Sequence, residues 1–191
     1  MFEELLVKIG SSLDKASIPY MIIGGQAVLL YGEPRLTRDI DVTLGVNIDK
    51  LPELLNVVDD MGAIPVPEDL ETFVRETYVL PVRDETSDIR IDFIFSYTPY
   101  ERQAIKRANK VKLKEVFLNF ASVEDVIIHK IFAGRPRDIE DVKSMILKNP
   151  KFDALYIRRW LKEFDVAIEG KDFLNCFEEI LEELRSQGED A

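Results

Sequence analysis

The sequence predicts an α/β (α+β) fold, in which a mixed sheet is flanked by helices and followed by a C-terminal helical bundle. In residues 1–120, short apolar segments bounded by glycine or proline alternate with segments whose apolar residues recur at helical spacing. From residue 121 onward every segment has helical spacing. We therefore expect a core of residues 1–120 and a helical subdomain of residues 121–191.

The core elements follow from local signals along the chain. In order, we predict a helix ending before Pro19, the strand YMII, the short helix QAVLLYG, the strand RDIDVTLGV, a helix stopping at Gly62, a proline-rich connection, the strands TFVRETYVLPV and DIRIDFIFS in antiparallel pairing, a helix opened by Thr98 and Pro99, and the single strand KVKLKEVFLNF. The C-terminal helices are expected at VEDVIIHKIFAG, RDIEDVKSMILK, FDALYIRRWLKEFD and DFLNCFEEILEELRS.

Charge and composition exclude several classes of protein. Thirty-six acidic and 25 basic residues give a net charge of −11, which repels phosphate backbones and argues against a general nucleic-acid coat protein. A single cysteine and a single histidine exclude an intrachain disulfide and a Cys/His zinc site, so any metal must be held by oxygen. No apolar run approaches 18 residues, and the acidic amino terminus differs from a secretory signal, so we expect a cytoplasmic location and no membrane partner.

Three aspartates indicate a metal site. In a strand, residues i and i+2 point to the same face, so Asp39 and Asp41 form an acidic face while Ile40 and Val42 point to the core. Asp92 is a lone acid in the apolar strand DIRIDFIFS, and it would join them if the two strands are neighbours. Such a cluster can hold two Mg²⁺ or Mn²⁺ ions roughly 4 Å apart, as in phosphoryl transfer.

The Gly24–Gly25 pair supplies a complementary anion site. It lies between a predicted strand and a helix, where backbone N–H groups can approach a phosphate and the helix amino terminus favours negative charge. A tight turn is the alternative for the glycines alone, and a solvated strand face is the alternative for the aspartates alone.

The spacing of these residues resembles the nucleotidyltransferase superfamily with the DNA polymerase β-like core. The matching residues are Ile23, Gly24 and Gly25, then 13 residues, then the run DIDV from Asp39, and later Asp92. The segments YGEPRLTRDIDV and ASVEDVIIHKIFAGRPRDIEDV make the chain most similar to small AbiEii-type toxin nucleotidyltransferases. The resemblance covers residues 18–147 and implies a minimal nucleotidyltransferase core.

The resemblance also implies a role for each matching residue. Asp39, Asp41 and Asp92 would be the catalytic and metal-binding residues. The nucleotide would be bound by Gly24, Gly25, Lys130 and Asp138, with Arg35, Thr37 and Arg38 as weaker candidates for positioning the triphosphate. An exposed surface lysine is the alternative for Lys130, and a simple helix cap is the alternative for Asp138.

The implied reaction moves a nucleoside monophosphate from an NTP to a hydroxyl of a tRNA, a protein or a small molecule. An antitoxin protein would be a further partner if the toxin resemblance holds. One competing hypothesis is a non-catalytic interaction or regulatory module that retains the fold. The other is a metal-dependent nuclease, which is weaker because the glycine pair suits a triphosphate better than a duplex.

Overall fold

The computed structural model describes residues 2–96 and 98–189. Its elements, in chain order, are α1 (Phe2–Lys15), β1 (Tyr20–Ile23), α2 (Gly24–Tyr31), β2 (Asp39–Leu44), a short 3-10 turn (Ile48–Lys50), α3 (Leu51–Asp60), β3 (Ala63–Pro65), α4 (Leu70–Thr77), β4 (Val79–Asp84), β5 (Arg90–Phe95), α5 (Pro99–Lys106), β6 (Asn109–Leu113), β7 (Val116–Phe120), α6 (Val123–Ala133), α7 (Pro136–Lys148), α8 (Ala154–Ala167) and α9 (Phe173–Glu189).

The chain forms two compact units. The first comprises Met1–Ala27 and Arg35–Ser122, and the second comprises Val28–Pro34 and Val123–Ala191. Compactness does not show which unit carries chemistry. The division into a catalytic core of residues 1–120 and a helical subdomain of residues 121–191 therefore stays a prediction.

The first unit is built on a seven-stranded sheet in the order β3-β4-β5-β2-β1-β7-β6. Strand β2 runs parallel to β5, and β1 runs parallel to β7, whereas the other neighbouring pairs are antiparallel. The mixed sheet flanked by helices confirms the predicted α/β (α+β) class.

One face of this sheet forms the core of the first unit. The side chains of Ile40, Val42, Ile91 and Phe93 are fully buried there, and each such burial stabilises the fold by about 1.5–3 kcal/mol. Helix α1 contacts β7 and α3 contacts β3. The opposite face carries the alternate residues of β2 and β5, which are half-buried or exposed at Asp39, Asp41 and Asp92.

Two strand predictions were wrong in part, although Val79–Asp84 forms the expected strand and pairs antiparallel with β5. Residues 70–77 form helix α4, because Asp69 accepts a hydrogen bond from the Thr72 amide (3.3 Å) and Tyr78, at φ +58°, ends the helix. The β-branched and aromatic residues of TFVRETYVLPV had favoured a strand. The segment KVKLKEVFLNF is a hairpin of β6 and β7, whose turn contains Lys114 at φ +53°. The third unpredicted feature is β3, which lies in the expected proline-rich connection.

The second unit is a helical bundle, as predicted. Helix α6 contacts α7, α8 and α9, and α8 contacts α9. Its interior is apolar, with Ile127, Ile157 and Phe177 fully buried. Among the described helices, none combines the length and the apolar character that crossing a membrane requires.

Candidate active site

The parallel pairing of β2 with β5 brings the predicted carboxylates together. Asp41 is in register with Asp92, and Asp39 is in register with Arg90. Neighbouring strands lie about 4.8 Å apart, so Asp41 and Asp92 are adjacent on one face of the sheet. Asp39 lies two residues before Asp41 on the same face of β2 and is exposed. The two strands are therefore neighbours, as the convergence of the three aspartates required.

Arg90 is a charged member of this cluster that the sequence did not single out. Its Nε donates a hydrogen bond to Asp92 Oδ1 at 2.8 Å, in a partly exposed ion pair. This hydrogen bond, together with the negative charges of Asp92, Asp39 and Asp41, raises the pKa of the Arg90 guanidinium above its ordinary value. Arg90 thus supplies positive charge to a face that otherwise carries three carboxylates.

The residue types and strand register fit a divalent metal, although the side chains do not form a ready-made cage. Carboxylate oxygens are the ligands that Mg²⁺ and Mn²⁺ prefer. Within residues 2–96 and 98–189, no group of three or more Asp, Glu, His or Cys side chains is arranged to hold a metal ion. Asp92 Oδ1 accepts a hydrogen bond from the Arg90 guanidinium, which is thus the cation that this carboxylate contacts.

Gly24 joins the carboxylates to the amino terminus of α2. Its φ is +63°, and a Cβ at this position would lie 2.8 Å from Asp41 Cγ and still closer to Asp41 Oδ2. A side chain here would collide with the carboxylate and would also be strained in the left-handed region. Glycine is therefore required for the backbone to approach Asp41. The helix begins at Gly24, two residues earlier than predicted.

Gly25 packs against the segment that leads into β2. A Cβ added to Gly25 would lie 3.0 Å from Thr37 Cβ and 3.5 Å from Arg35 Nη2. The buried Thr37 hydroxyl accepts a hydrogen bond from Gln26 Nε2 at 2.7 Å. Arg35 and Thr37 thus lie beside the start of α2, whereas Arg38 is exposed. Gln26 was missed because its sequence context does not reveal this partner.

Lys130 and Asp138 form a buried cluster within the second unit. Lys130 Nζ lies 2.7 Å from Asp138 Oδ1 and 3.0 Å from Asp141 Oδ2, while Arg135 Nε donates to Asp138 Oδ2 at 2.6 Å. Lys130 is only 6% exposed and Asp138 only 2%, so the surface-lysine alternative is wrong. Asp141 was missed, although its spacing of three residues from Asp138 on one helix indicated a shared face.

Burial and hydrogen bonding act in opposite directions on Asp138. Burial alone would raise the pKa of its carboxyl group, but hydrogen bonds and charge from Arg135 and Lys130 hold the pKa below its ordinary value. Asp138 also accepts a hydrogen bond from the Arg135 amide at 3.3 Å, at the start of α7. The helix-cap alternative and the ion pair are thus combined in one side chain.

Comparison with known proteins identifies the family. A family model described as a nucleotidyltransferase of unknown function (DUF6036) matches residues 1–182. The chain belongs to this family. The predicted membership of the nucleotidyltransferase superfamily is therefore confirmed, whereas the AbiEii-type subgroup stays a prediction. No curated protein matches the chain.

Solved structures agree with this family at the level of the fold. ANT(2″)-Ia, in a crystal structure with adenylyl-2″-tobramycin, is 19% identical with a TM-score of 0.58 over 86% of this chain and 97% of its own. An antigenic nucleotidyltransferase-like protein from Paracoccidioides brasiliensis is 18% identical with a TM-score of 0.56 over 76% and 75% of the two chains. The lincosamide antibiotic adenylyltransferase LnuA, lincomycin-bound, is 16% identical with a TM-score of 0.53 over 74% and 94%.

Proposed function

We propose that this DUF6036 nucleotidyltransferase transfers a nucleoside monophosphate from an NTP to a hydroxyl group, with release of pyrophosphate, and that divalent metal ions are required. The observation that carries the proposal is the register of Asp41 with Asp92, with Gly24 packed against Asp41. The carboxylates therefore lie beside the amino terminus of helix α2, which begins at a glycine. Binding of a metal–triphosphate complex requires this arrangement.

The proposal assigns the metal ligands and the phosphate contacts to the first unit. Asp39, Asp41 and Asp92 would hold Mg²⁺ or Mn²⁺, two ions in all, which when bound neutralise charge on the triphosphate. Backbone N–H groups at Gly24 and Gly25 would contact phosphate oxygens, because the first turn of α2 carries no acidic residue that would repel them. Arg35, Thr37 and Arg38 remain proposed contacts of the triphosphate.

Asp92 is the proposed acceptor of the proton from the attacking hydroxyl. The hydroxyl oxygen forms a bond to the α-phosphorus, the bond between that phosphorus and the bridging oxygen breaks, and pyrophosphate leaves. Arg90 Nε lies 2.8 Å from Asp92 Oδ1 and so helps to hold this carboxylate in place on β5.

We assign Lys130 and Asp138 the role of fixing helices α6 and α7 against each other. Their buried contact joins α6 to α7 and uses the Lys130 ammonium group to neutralise two carboxylates. Removing one partner of such a pair is costly because the other charge stays buried. Direct contact of Lys130 with phosphate or base, which the family resemblance implies, stays a prediction.

The sequence leaves three classes of acceptor open, namely tRNA, protein and small molecule. The names of two structural relatives refer to antibiotics, tobramycin for ANT(2″)-Ia and lincomycin for LnuA. These names support a small-molecule acceptor as one candidate here. An antitoxin partner and a toxin role rest on the sequence resemblance alone.

The experiment that tests the proposal follows release of labelled pyrophosphate from γ-labelled NTPs with magnesium, using water and pooled hydroxyl compounds as acceptors. We expect Asp92→Asn to retain nucleotide binding and to lose turnover, because the amide cannot accept the proton. Asp88→Asn, an exposed aspartate paired with Arg83 in the preceding turn, is the matched control and should keep turnover. Equal turnover in Asp92→Asn and wild type would remove Asp92 from the mechanism and favour the non-catalytic module.

A further inference from the structure

A cavity of about 500 Å³ lies in the first unit against strands β4 and β5. Its walls come from the segment before α4, from α4 itself, from Pro81 of β4 and from Arg90 of β5. The amide of Val66 donates a hydrogen bond to the Pro81 carbonyl at 2.9 Å, which ties this segment to the sheet. The cavity is therefore held by secondary structure on two sides.

The register of the sheet places this cavity next to the proposed base. Pro81 is directly opposite Asp92 in the antiparallel pair of β4 and β5, so the two side chains share a face. Arg90 both lines the cavity and binds Asp92. In the sheet order β4-β5-β2-β1, Gly24 follows β1, on the opposite side of the carboxylates.

This arrangement separates two approaches to the carboxylates. Under the proposed function the triphosphate occupies the Gly24 side, so the hydroxyl that displaces pyrophosphate must arrive from the Asp92 side. The cavity opens there. Its position thus fits an acceptor better than the nucleotide phosphates.

The lining combines exposed apolar surface with unneutralised negative charge. Phe73 is 37% exposed and Val66 is 47% exposed, although both side chains are large and apolar. Glu68 and Glu76 also line the cavity, and neither forms an ion pair with any residue in the described parts of the chain. The one basic residue of the lining, Arg90, is bound to Asp92.

The acidic residues of the lining favour a positively charged ligand in the cavity. Two free carboxylates repel an anionic acceptor such as an RNA backbone and attract an ammonium group. An aromatic ring beside them can receive the cation on its face, and the apolar wall can cover a hydrocarbon or sugar-ring surface. A neutral acceptor would gain only the apolar contact.

We propose that this cavity is the acceptor site and that it takes a small organic cation bearing a hydroxyl group, of the amino-sugar or amino-alcohol class. The inference rests on the proposed function, since it names the acceptor for the same carboxylates. The acceptor oxygen attacks the α-phosphorus, pyrophosphate leaves with the electron pair of the broken bond, and the hydroxyl proton passes to Asp92.

The test is a titration of the full chain followed by amide NMR, with tobramycin as the cationic hydroxyl probe and trehalose as the uncharged one. We expect tobramycin to shift resonances of residues 66–76 and trehalose to leave them in place. Glu68→Gln and Glu76→Gln should each weaken tobramycin binding about two- to fivefold, as loss of one exposed charge pair does.

Glu71→Gln is the matched control. Glu71 lies on helix α4 with Glu76, pairs with Arg75 and does not line the cavity, so Glu71→Gln changes the net charge by the same amount without altering the lining. The control matters because a chain of net charge −11 attracts any polycation. Unchanged binding in Glu71→Gln supports the inference, whereas an equal loss in Glu71→Gln and Glu76→Gln would overturn it. Absence of shifts at residues 66–76 would overturn it too.

A parallel titration of wild type with each of the four NTPs and magnesium separates this inference from the proposed function. If at least one Mg·NTP binds and tobramycin leaves residues 66–76 unshifted, the acceptor assignment alone is wrong. If no Mg·NTP binds, the proposed function is wrong, and the acceptor assignment that rests on it falls with it.

Discussion

Substitution of Gly24 by alanine would separate backbone strain from damage to the metal site. Gly24 has φ +63°, and an added Cβ would lie 2.8 Å from Asp41 Cγ. The new methyl group would therefore push the Asp41 carboxylate away from its position opposite Asp92. Groups that orient a metal ligand typically contribute 10- to 100-fold to metal affinity. We expect the apparent Kd for Mg·NTP to rise at least about tenfold.

The stability cost of the same change is small and can be matched in a control. An L-residue in the left-handed region costs about 1–2 kcal/mol, and loss of glycine entropy from the unfolded chain returns about 0.4–1 kcal/mol. The net loss of about 1 kcal/mol lowers the Tm by about 2–4 °C in a chain of this size. Gly62 has φ +60°, and a Cβ there would meet no atom within 4 Å. Gly62→Ala thus carries the strain without the contact.

The assay compares wild type, Gly24→Ala and Gly62→Ala by calorimetric titration with each NTP and magnesium, and by thermal unfolding. We expect comparable Tm values in the two variants and loss of nucleotide affinity in Gly24→Ala alone. Equal nucleotide affinity in both variants would refute the reasoning, because it would show that the Gly24–Asp41 approach does not matter for binding.

Three further predictions concern charged groups. Arg90→Gln frees Asp92 from its cation, so Mn²⁺ affinity without nucleotide should rise about two- to fivefold by electron paramagnetic resonance titration, and an unchanged or weaker affinity would contradict the role given to Arg90. Lys130→Met removes the buried cation that Asp138 and Asp141 share, and it should lower the free energy of unfolding by about 3–5 kcal/mol. The exposed Lys148→Met should lower it by about 1 kcal/mol or less in the same denaturant titrations, and equal losses would speak against the buried cluster. The pKa of Asp138 is lowered in the folded state, so the contribution of its carboxylate to folding stability is complete above the unfolded pKa of about 3.9 and is lost as pH falls through the lower folded pKa. The difference in Tm between wild type and Asp138→Asn should therefore be large at pH 6 and small toward pH 3. A difference that does not depend on pH would contradict this prediction.

The central elements of the site could be predicted because their signals are local. The alternation of Asp39 and Asp41 with buried Ile40 and Val42 fixes the face of each side chain whatever the rest of the chain does. Asp92 could be placed on a face in the same way. Its position beside Asp41 could be stated only as a condition, since strand order depends on long-range pairing.

The missed features depend on contacts that a single sequence does not show. Helix α4 has strand-like composition, and its Asp69 cap was outweighed by threonine, valine and tyrosine. The hairpin of β6 and β7 turns at Lys114, a residue that rarely adopts positive φ and therefore gave no turn signal. Lys130 was ambiguous because helical spacing alone does not reveal the two carboxylates of the next helix that surround it.

The most direct test of the central claim is a calorimetric titration of all four NTPs, with and without magnesium, into wild type and into Asp39→Ala/Asp41→Ala. We expect magnesium-dependent binding of at least one NTP to wild type and loss of that binding in the double variant at unchanged Tm. Binding that persists in the double variant, or a wild type that binds no NTP, would contradict the claim that these carboxylates hold a metal–nucleotide complex.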